Sequence, residues 1–234
     1  VKSNVVRLKR KKQVMKAAAE NLVPVTLELG GKSPVLVGRR ADIRNAAERI
    51  AVGKAQNAGQ LCVSPDVVWV PADQAEAFVA AVQEFYVGMY PSIAGNSDVV
   101  PVVNDRHFAR VESYVADAGA RGARVVMAGD WPSAEGATER RMPLRIVVNP
   151  PADSDIVRNE IFGPAVVLNT YQDIDEAVRL YSLACELGDG SSCTNLGILV
   201  SEGRGVAQDP ARAAGLFERS CGEGEANGCA YLGM

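Results

Sequence analysis

Two side chains in the first third of the sequence have the types and spacing needed for acyl chemistry. Cys62 ends the segment Asn57–Cys62, and no other cysteine occurs before Cys185. A thiolate attacks a carbonyl carbon when a base and backbone N–H donors lie nearby, and a loop at a helix end can supply them. Glu28 lies in the apolar run Val25–Lys32, where a carboxylate is costly to bury without a partner. Because two glycines end this predicted strand, we expect Glu28 to face a cleft.

Each of these two residues, taken alone, also fits a purely structural role. Free cysteine is among the most buried residue types, so Cys62 could be a packed thiol. Glu28 could be a strand-end acid held by a hydrogen bond. The residues by themselves leave both interpretations open.

The elements that must position these side chains alternate between helix and strand. A helix from Gln13 to Leu22 is closed by Pro24, and the strand with Glu28 follows it. A helix over Ala41–Ala58, opened by Asp42, then leads to the Cys62 loop. This alternation predicts an α/β layer structure with parallel strands. The other predicted helices span Gln74–Met89 and Asp105–Arg121. The other predicted strands span Val67–Val70, Ala123–Ala128, Met142–Val148 and Ala165–Leu168.

Three short segments resemble, in order and spacing, motifs of the aldehyde dehydrogenase superfamily. They are Leu27–Pro34, Gly59–Cys62 and Asn159–Pro164. The intervening segments Tyr90–Asn96 and Asn104–His107 are most similar to the coniferyl aldehyde dehydrogenase branch. The resemblance extends over about Gln13–Ala177 and implies an aldehyde dehydrogenase-like catalytic domain with three layers and a mostly parallel sheet, truncated relative to a complete subunit.

The resemblance implies a reaction and the residues that carry it out. In this family a cysteine thiolate adds to an aldehyde, hydride passes to NAD or NADP, and a carboxylate activates the water that cleaves the thioester. Cys62 matches the nucleophile and Glu28 the general base. The backbone N–H of Cys62 should supply half of the oxyanion hole.

The resemblance also implies a cofactor site. Glu160 and Phe162 match the residues that hold the nicotinamide ribose and ring. Leu29 and Gly30 belong to the cofactor-binding set, and Gly30 and Gly31 should let the cofactor approach the backbone closely. The family's oxyanion-hole asparagine, its cofactor-binding lysine and the first strands of its dinucleotide-binding domain have no counterpart here. Loss of one oxyanion donor costs about 10²–10³ in rate, so we expect a nucleophile and base that keep little of the cofactor cradle.

The C-terminal part of the sequence repeats itself with a period of 36 residues, which superposes Cys185 on Cys221 and Cys193 on Cys229. Such a period predicts stacked supersecondary units. These units resemble Sel1-like repeats, which are helical hairpins related to the tetratricopeptide repeat, in their cysteine-paired variety. We therefore predict three parts: a basic lead at 1–12, a truncated aldehyde dehydrogenase-like domain at 13–180 and helical repeats at 181–234.

The paired-cysteine resemblance places constraints on each repeat. On one continuous helix, thiols eight residues apart would lie about 12 Å from each other, whereas a disulfide requires Cα atoms within roughly 7 Å. A reversal at Gly188–Gly190, and another at Gly222–Gly224, would bring them together. We predict disulfides Cys185–Cys193 and Cys221–Cys229, or buried free thiols at the same positions if the compartment is reducing. A reactive thiol is best protected in a reducing compartment, whereas disulfides belong to oxidising ones. The presence of Cys62 and paired cysteines in one chain therefore suggests a fusion of unlike parts.

Composition narrows the classes of partner. The chain has 234 residues, 47% of them hydrophobic, and a net charge of −3. It contains no apolar run long enough to span a membrane and no leader of the signal-peptide type, so we expect a cytoplasmic protein. We expect no nucleic-acid or membrane partner, and one histidine with paired repeat cysteines predicts no metal site. The expected partners are a small-molecule aldehyde, a protein bound through the repeats and further copies in a homo-oligomer.

Three functional hypotheses follow. The first is an NAD(P)-dependent oxidoreductase that converts an aromatic aldehyde to its acid. In an intermediate version of this hypothesis, Cys62 performs only esterase-like acyl transfer, which needs no cofactor. The second is a catalytically inactive, truncated domain whose repeats mediate protein–protein interaction. The third is an incomplete or recombined product without a selected function.

Overall fold

A computed structural model describes residues 12–25, 31–130, 139–186, 188 and 190–233. The chain divides into two compact units, Val1–Gly30 and Gly31–Met234. In the first unit, residues 12–20 are helical and Leu22 has a positive φ of 54°. This helix agrees with the one predicted from Gln13, and it ends before Pro24.

The second unit is built on one sheet of five strands. The strand order is β1-β2-β5-β4-β3, and all neighbours are parallel except the antiparallel pair β3 and β4. The predicted α/β class with a mostly parallel sheet is therefore confirmed. The strands are β1 (Ser33–Leu36), β2 (Pro65–Pro71), β3 (Arg124–Ala128), β4 (Leu144–Val148) and β5 (Ala165–Tyr171).

Among the described residues, the first strand lies after the segment that the sequence predicted as a strand. Of the predicted strand Val25–Lys32, residues 26–30, which include Glu28, lie outside the described residues, and the flanking Val25, Gly31 and Lys32 are not in a strand. The observed β1 starts at Ser33, which is the first residue aligned with β2, opposite Pro65. The apolar run predicted extended structure, but pairing with β2 determines where the ladder begins.

Helices cover both faces of this sheet. Asp42, which the sequence placed at the opening of α1, is its N-cap, because its carboxylate accepts hydrogen bonds from the backbone N–H groups of Arg44 and Asn45. None of the described helices is long and apolar enough to cross a membrane. The helices are α1 (Ile43–Ala55), α2 (Ala75–Met89), α3 (Asp105–Ala120), α4 (Asp155–Arg158), α5 (Ile174–Glu186), α6 (Gly190–Glu202), α7 (Pro210–Gly222) and α8 (Ala226–Leu232).

Three apolar clusters hold the layers together. Alternate residues of β2 point to opposite faces, as the pleat requires. Val68 packs with α1 and α2 on one face, whereas Val67 packs toward the α3 cluster on the other. Trp69 lies on that second face in a third cluster, together with Leu199 and Phe217 of the repeat helices. The repeats therefore cover the β1 and β2 end of the sheet.

The C-terminal helices form two hairpins, each closed by a disulfide. Cys185 is bonded to Cys193 and Cys221 to Cys229, with Cα separations of 4.6 and 4.7 Å. Gly188 (φ 90°) allows the reversal in the first hairpin and Gly224 (φ 88°) the one in the second, with the predicted spacing. Both predicted bridges are confirmed. Helix α5 runs unbroken through residue 180, so the domain boundary placed there stays a prediction.

Candidate active site

The loop that carries Cys62 is shaped by an abrupt left-handed turn. Helix α1 ends at Ala55, earlier than predicted, and Asn57, Ala58 and Gly59 have φ values of 49°, 52° and 67°. Alanine rarely adopts this conformation, which costs about 1–3 kcal/mol, so surrounding contacts must hold it. The turn leaves Cys62 as an exposed free thiol. The interpretation of Cys62 as a buried structural cysteine is wrong.

The Gln60 side chain supplies several of the contacts that hold the turn. Its buried amide nitrogen donates to the carbonyl oxygens of Asn57 (3.0 Å) and Pro101 (3.2 Å). Its amide oxygen accepts from the backbone N–H of Val103 (2.9 Å). Sequence reasoning missed this residue. The only available signal was its type, because a carboxamide both donates and accepts and can therefore join two loops.

A hydrogen bond from Ser33 fixes the end of the loop. The Ser33 hydroxyl, at the start of β1, donates to the Cys62 carbonyl oxygen at 3.0 Å. Among the described residues, no hydrogen-bond acceptor is found for the Cys62 backbone N–H. This amide is therefore available as an oxyanion donor beside an exposed thiol.

The third motif segment, Asn159–Pro164, lies against the Cys62 loop. A Cβ atom placed on Gly59 would lie 2.4 Å from the carbonyl oxygen of Gly163, so the two backbones touch. The Glu160 carboxylate accepts from the backbone N–H of Gly31 at 3.3 Å. The structure thus brings together the described parts of all three motif segments.

A partly buried ion pair fastens these segments to β2. The Lys32 ammonium donates to the Asp66 carboxylate (2.8 Å) and to the carbonyl oxygens of Ile156 (3.0 Å) and Asn159 (2.9 Å). The Asp66 side chain is 4% exposed, and it also accepts from the backbone N–H of Ile161 at 3.1 Å. Because its carboxylate has both a cation and an amide donor, the buried charge is compensated. A carboxylate at the start of an apolar strand was the signal for this anchor.

Arg110 of α3 supports the backbone of the same motif. Its guanidinium donates to the carbonyl oxygens of Glu160 (3.2 Å) and Phe162 (3.4 Å), and lies 5.2 Å from the Tyr114 ring centroid. Phe162 is half-buried and has a positive φ of 44°. Arg110, which the sequence did not single out, therefore helps to hold Phe162 in a conformation that non-glycine residues rarely adopt.

A buried lysine lies at the base of the loop. Lys54 is fully buried, and its Nζ has no hydrogen-bond partner among the described residues. This Nζ lies 3.0 Å from the position that a Gly59 Cβ would occupy. Burial lowers the pKa of the Lys54 ammonium from 10.5 to about 8, and the nearby Asp66 carboxylate opposes this change only in part.

Some of the predicted site residues lie within the described part of the chain and others do not. Cys62 and Glu160 belong to the segments that the structure brings together, and Phe162 lies in the same motif as Glu160. Glu28, Leu29 and Gly30 lie outside the described residues, so their roles stay predictions.

The described residues fit the nicotinamide riboside part of a dinucleotide. The Glu160 carboxylate can accept from ribose hydroxyls, and the Phe162 ring is a flat apolar surface. At Gly31 an added Cβ would meet no described atom within 4 Å, which leaves room for a close approach to the backbone. The site combines an exposed thiol, a free amide donor and these groups, and this set is suited to nucleophilic attack on a carbonyl.

Comparisons with known proteins agree with this geometry. The sequence model described as "Aldehyde dehydrogenase family" matches residues 9–189, and the Sel1 repeat model matches residues 190–225. Among curated relatives, the probable coniferyl aldehyde dehydrogenase of Caulobacter vibrioides is 46% identical over 170 residues, which are 71% of this chain and 35% of that protein. The coniferyl aldehyde dehydrogenase of a Pseudomonas species is 43% identical over the same coverage.

Solved structures give the same assignment. The substrate-bound Staphylococcus aureus AldH matches with a TM-score of 0.64 and 36% identity, over 75% of this chain and 37% of that one. A Mycobacterium tuberculosis aldehyde dehydrogenase complexed with NAD+ matches with a TM-score of 0.61 and 28% identity, over 74% of this chain and 36% of that one. The chain thus spans about a third of the length of these relatives. It belongs to the aldehyde dehydrogenase family and carries a Sel1 repeat at its C-terminal side.

Proposed function

We propose that this chain acts as the nucleophile-bearing part of an NAD(P)-dependent aldehyde dehydrogenase whose substrate is an aromatic aldehyde. The convergence of the Ser33, Cys62 and Glu160 segments is the observation that supports this function. The finer substrate class rests on the similarity to coniferyl aldehyde dehydrogenases.

In the proposed reaction the Cys62 sulfur, as the thiolate, forms a bond to the aldehyde carbon. The carbonyl electron pair moves to oxygen, and the Cys62 backbone N–H stabilises the resulting oxyanion. After oxidation to the thioester, Glu28 removes a proton from a water molecule that attacks the acyl carbon. The carboxylic acid leaves and the Cys62 thiolate is regenerated.

NAD or NADP, when bound, supplies the hydride acceptor for the oxidation step. Glu160 would hold the nicotinamide ribose, and Phe162 would pack against the nicotinamide ring. Arg110 and Lys32 keep that segment in place through the backbone contacts described above.

The test uses coniferyl aldehyde with NAD or NADP and follows absorbance of the reduced cofactor. We expect a signal in the wild-type chain that the Cys62→Ala variant lacks. Hydrolysis of 4-nitrophenyl acetate is measured in parallel, because this reaction needs the thiol and no cofactor. A chain that hydrolyses the ester through Cys62 without oxidising the aldehyde would retain only the acyl-transfer part.

A second candidate function is binding of a partner protein through the repeats. Two hairpins make a thin solenoid, and these pack on the sheet through Leu36 and Trp69. The repeats therefore have a supporting surface from which they can present a binding face. The Cys62→Ala variant separates the two functions, because it removes the nucleophile and leaves every repeat residue in place.

A further inference from the structure

A groove of about 980 Å³ lies where the repeats meet the edge of the sheet. Its floor is β1 and the loop after it, one wall is the first half of α1, and the other wall is α6 with the turn that follows it. Cys62 contacts β1 at Ser33, whereas the groove follows the strand from Val35 onward. No residue assigned to the active site lines the groove.

The floor of the groove is a sheet edge. Among the described strands, β1 pairs only with β2. The backbone N–H of Val37, just beyond β1, donates to the Trp69 carbonyl oxygen at 2.9 Å. Because successive peptide groups along a strand point to opposite edges, the backbone groups of Leu36 point away from β2, into the groove. An open edge of this kind accepts an added strand.

The walls of the groove provide apolar surface on both faces of that edge. Ala46 and Ile50 line the α1 side, and Ile198 and Leu199 line the α6 side. A strand added to β1 would place alternate side chains toward these two walls. This apolar lining suits the side chains of a peptide. A ligand that presents a row of phosphates would need cations and little apolar surface.

The charged residues that line the groove are mostly cationic, although the whole chain has a net charge of −3. Its charged lining residues are Arg39, Arg40, Arg49, Arg204 and one acid, Asp42, which is occupied as the α1 N-cap.

Two of these arginines have no carboxylate partner among the described residues. Arg39 pairs with Asp73, and Arg204 pairs with Glu202. Arg40 and Arg49 are exposed, and neither forms an ion pair with any residue in the described part of the chain. The Arg49 Nε donates to the Asn45 side-chain oxygen at 2.9 Å. The terminal nitrogens of Arg49 and the Arg40 guanidinium can therefore bind carboxylates.

We propose that this groove binds an extended acidic peptide segment of a partner protein, which adds to β1 as a strand and places its carboxylates against Arg40 and Arg49. This inference rests on the second proposed function, because it names where the partner binds and what chemistry it presents. It is independent of catalysis at Cys62.

The experiment is a selection of peptides from a random display library on the whole wild-type chain. Enriched peptides are then measured against the Arg40→Glu/Arg49→Glu variant. The control variant is Arg106→Glu/Arg212→Glu, which makes the same charge change at two exposed arginines outside the groove. Strand pairing is tested with two versions of a selected peptide, each N-methylated along one of its two edges. Only methylation of the edge that faces β1 should abolish binding, because only those N–H groups pair with the strand.

We expect enriched peptides rich in Asp, Glu and strand-forming residues. Their affinity should fall roughly tenfold or more in the groove variant and stay unchanged in the control. If the groove variant does not fold, as judged by circular dichroism, Arg40→Gln/Arg49→Gln replaces it. The proposal is overturned by the absence of enrichment, by enrichment of non-acidic peptides, or by equal binding to the groove variant. It is also overturned if sedimentation shows a dimer that only the groove variant disrupts, because the occupant would then be a second copy. Aldehyde oxidation is measured on the same groove variant. A failure of the groove proposal can then be told apart from a failure of the dehydrogenase function.

Discussion

The Gln60 carboxamide joins the Cys62 loop to the segment Pro101–Val103, using both its donor and its acceptor. Few contacts fix the position of the thiol itself, because Cys62 is exposed. At the scale of single residues, the placement of the nucleophile therefore depends on neighbours that have no direct part in the chemistry.

Replacing Gln60 by Ala should remove all three side-chain hydrogen bonds and leave the Val103 N–H and Pro101 carbonyl without that partner. We expect a loss of about 1–3 kcal/mol in the free energy of unfolding and a larger proportional loss of ester hydrolysis. Urea unfolding and 4-nitrophenyl acetate assays measure the two effects. Gln60→Glu is the matched variant: it keeps the acceptor for Val103 but places a buried carboxylate oxygen against the Asn57 and Pro101 carbonyl oxygens, so both properties should fall in this variant as well. Equal activity in the Ala variant would show that Gln60 does not position the thiol.

Gly59 is required for the contact between the two motif segments. Its φ is 67°, and a Cβ there would lie 2.4 Å from the Gly163 carbonyl oxygen. Gly95 has nearly the same φ, 68°, with no described atom near its Cβ position. Gly95→Ala should therefore cost only about 1–2 kcal/mol for the left-handed conformation, whereas Gly59→Ala should cost more and displace the Cys62 loop. Urea unfolding of both variants measures the difference, and equal losses would show that the close approach is unimportant.

Lys54 should make stability depend on pH in the alkaline range. Its folded pKa of about 8 lies below the usual 10.5. Between these values the unfolded chain binds more protons, so the free energy of unfolding should rise with pH. At about 1.4 kcal/mol per pKa unit, the gain is roughly 3 kcal/mol.

The control for this titration is Lys54→Met, which should be more stable than the wild type at neutral pH and lack the rise. Burial raises the pKa of Tyr86, but this group is common to both proteins and acts at higher pH. Parallel pH profiles for the two proteins, measured by urea unfolding, would be incompatible with a depressed Lys54 pKa.

At the scale of elements, sequence reasoning succeeded where the pattern is local. The Asp42 cap and the helices over α2 and α3 follow from periodicity and capping residues. The start of β1 and the left-handed turn at Asn57 and Ala58 did not follow, because they depend on β2 pairing and on Gln60, whose partners Pro101 and Val103 are distant in sequence. The antiparallel direction of β3 also depends on its partner and not on its own residues.

The hairpin disulfides should contribute measurably to the stability of the repeats. A closed loop of this length constrains the unfolded chain by about 2–3 kcal/mol. Reductant, or the Cys185→Ala/Cys193→Ala variant, should lower the unfolding temperature of the repeats. Mass spectrometry without reductant should show a loss of four hydrogens. A chain with its full complement of thiol hydrogens would contradict the bridges at Cys185–Cys193 and Cys221–Cys229.

At the scale of the whole molecule, a thiol nucleophile and two disulfides occur in one chain. Paired cysteines persist in oxidising compartments, whereas an exposed thiol is best preserved in a reducing one. The cytoplasmic location stays a prediction. The family and the repeats could be identified from short motifs, but the contact of Gly59 with Gly163 and the groove at β1 required the fold, since both bring together residues far apart in sequence.

The central claim is that Cys62 is a working nucleophile in this chain, and the hydrolysis of 4-nitrophenyl acetate tests it most directly. We predict release of 4-nitrophenolate by the wild type, abolished in Cys62→Ala, with the acetyl group recovered on Cys62 by mass spectrometry of the quenched protein. Equal release by the Cys62→Ala variant, or no acetylation at Cys62, would contradict the claim.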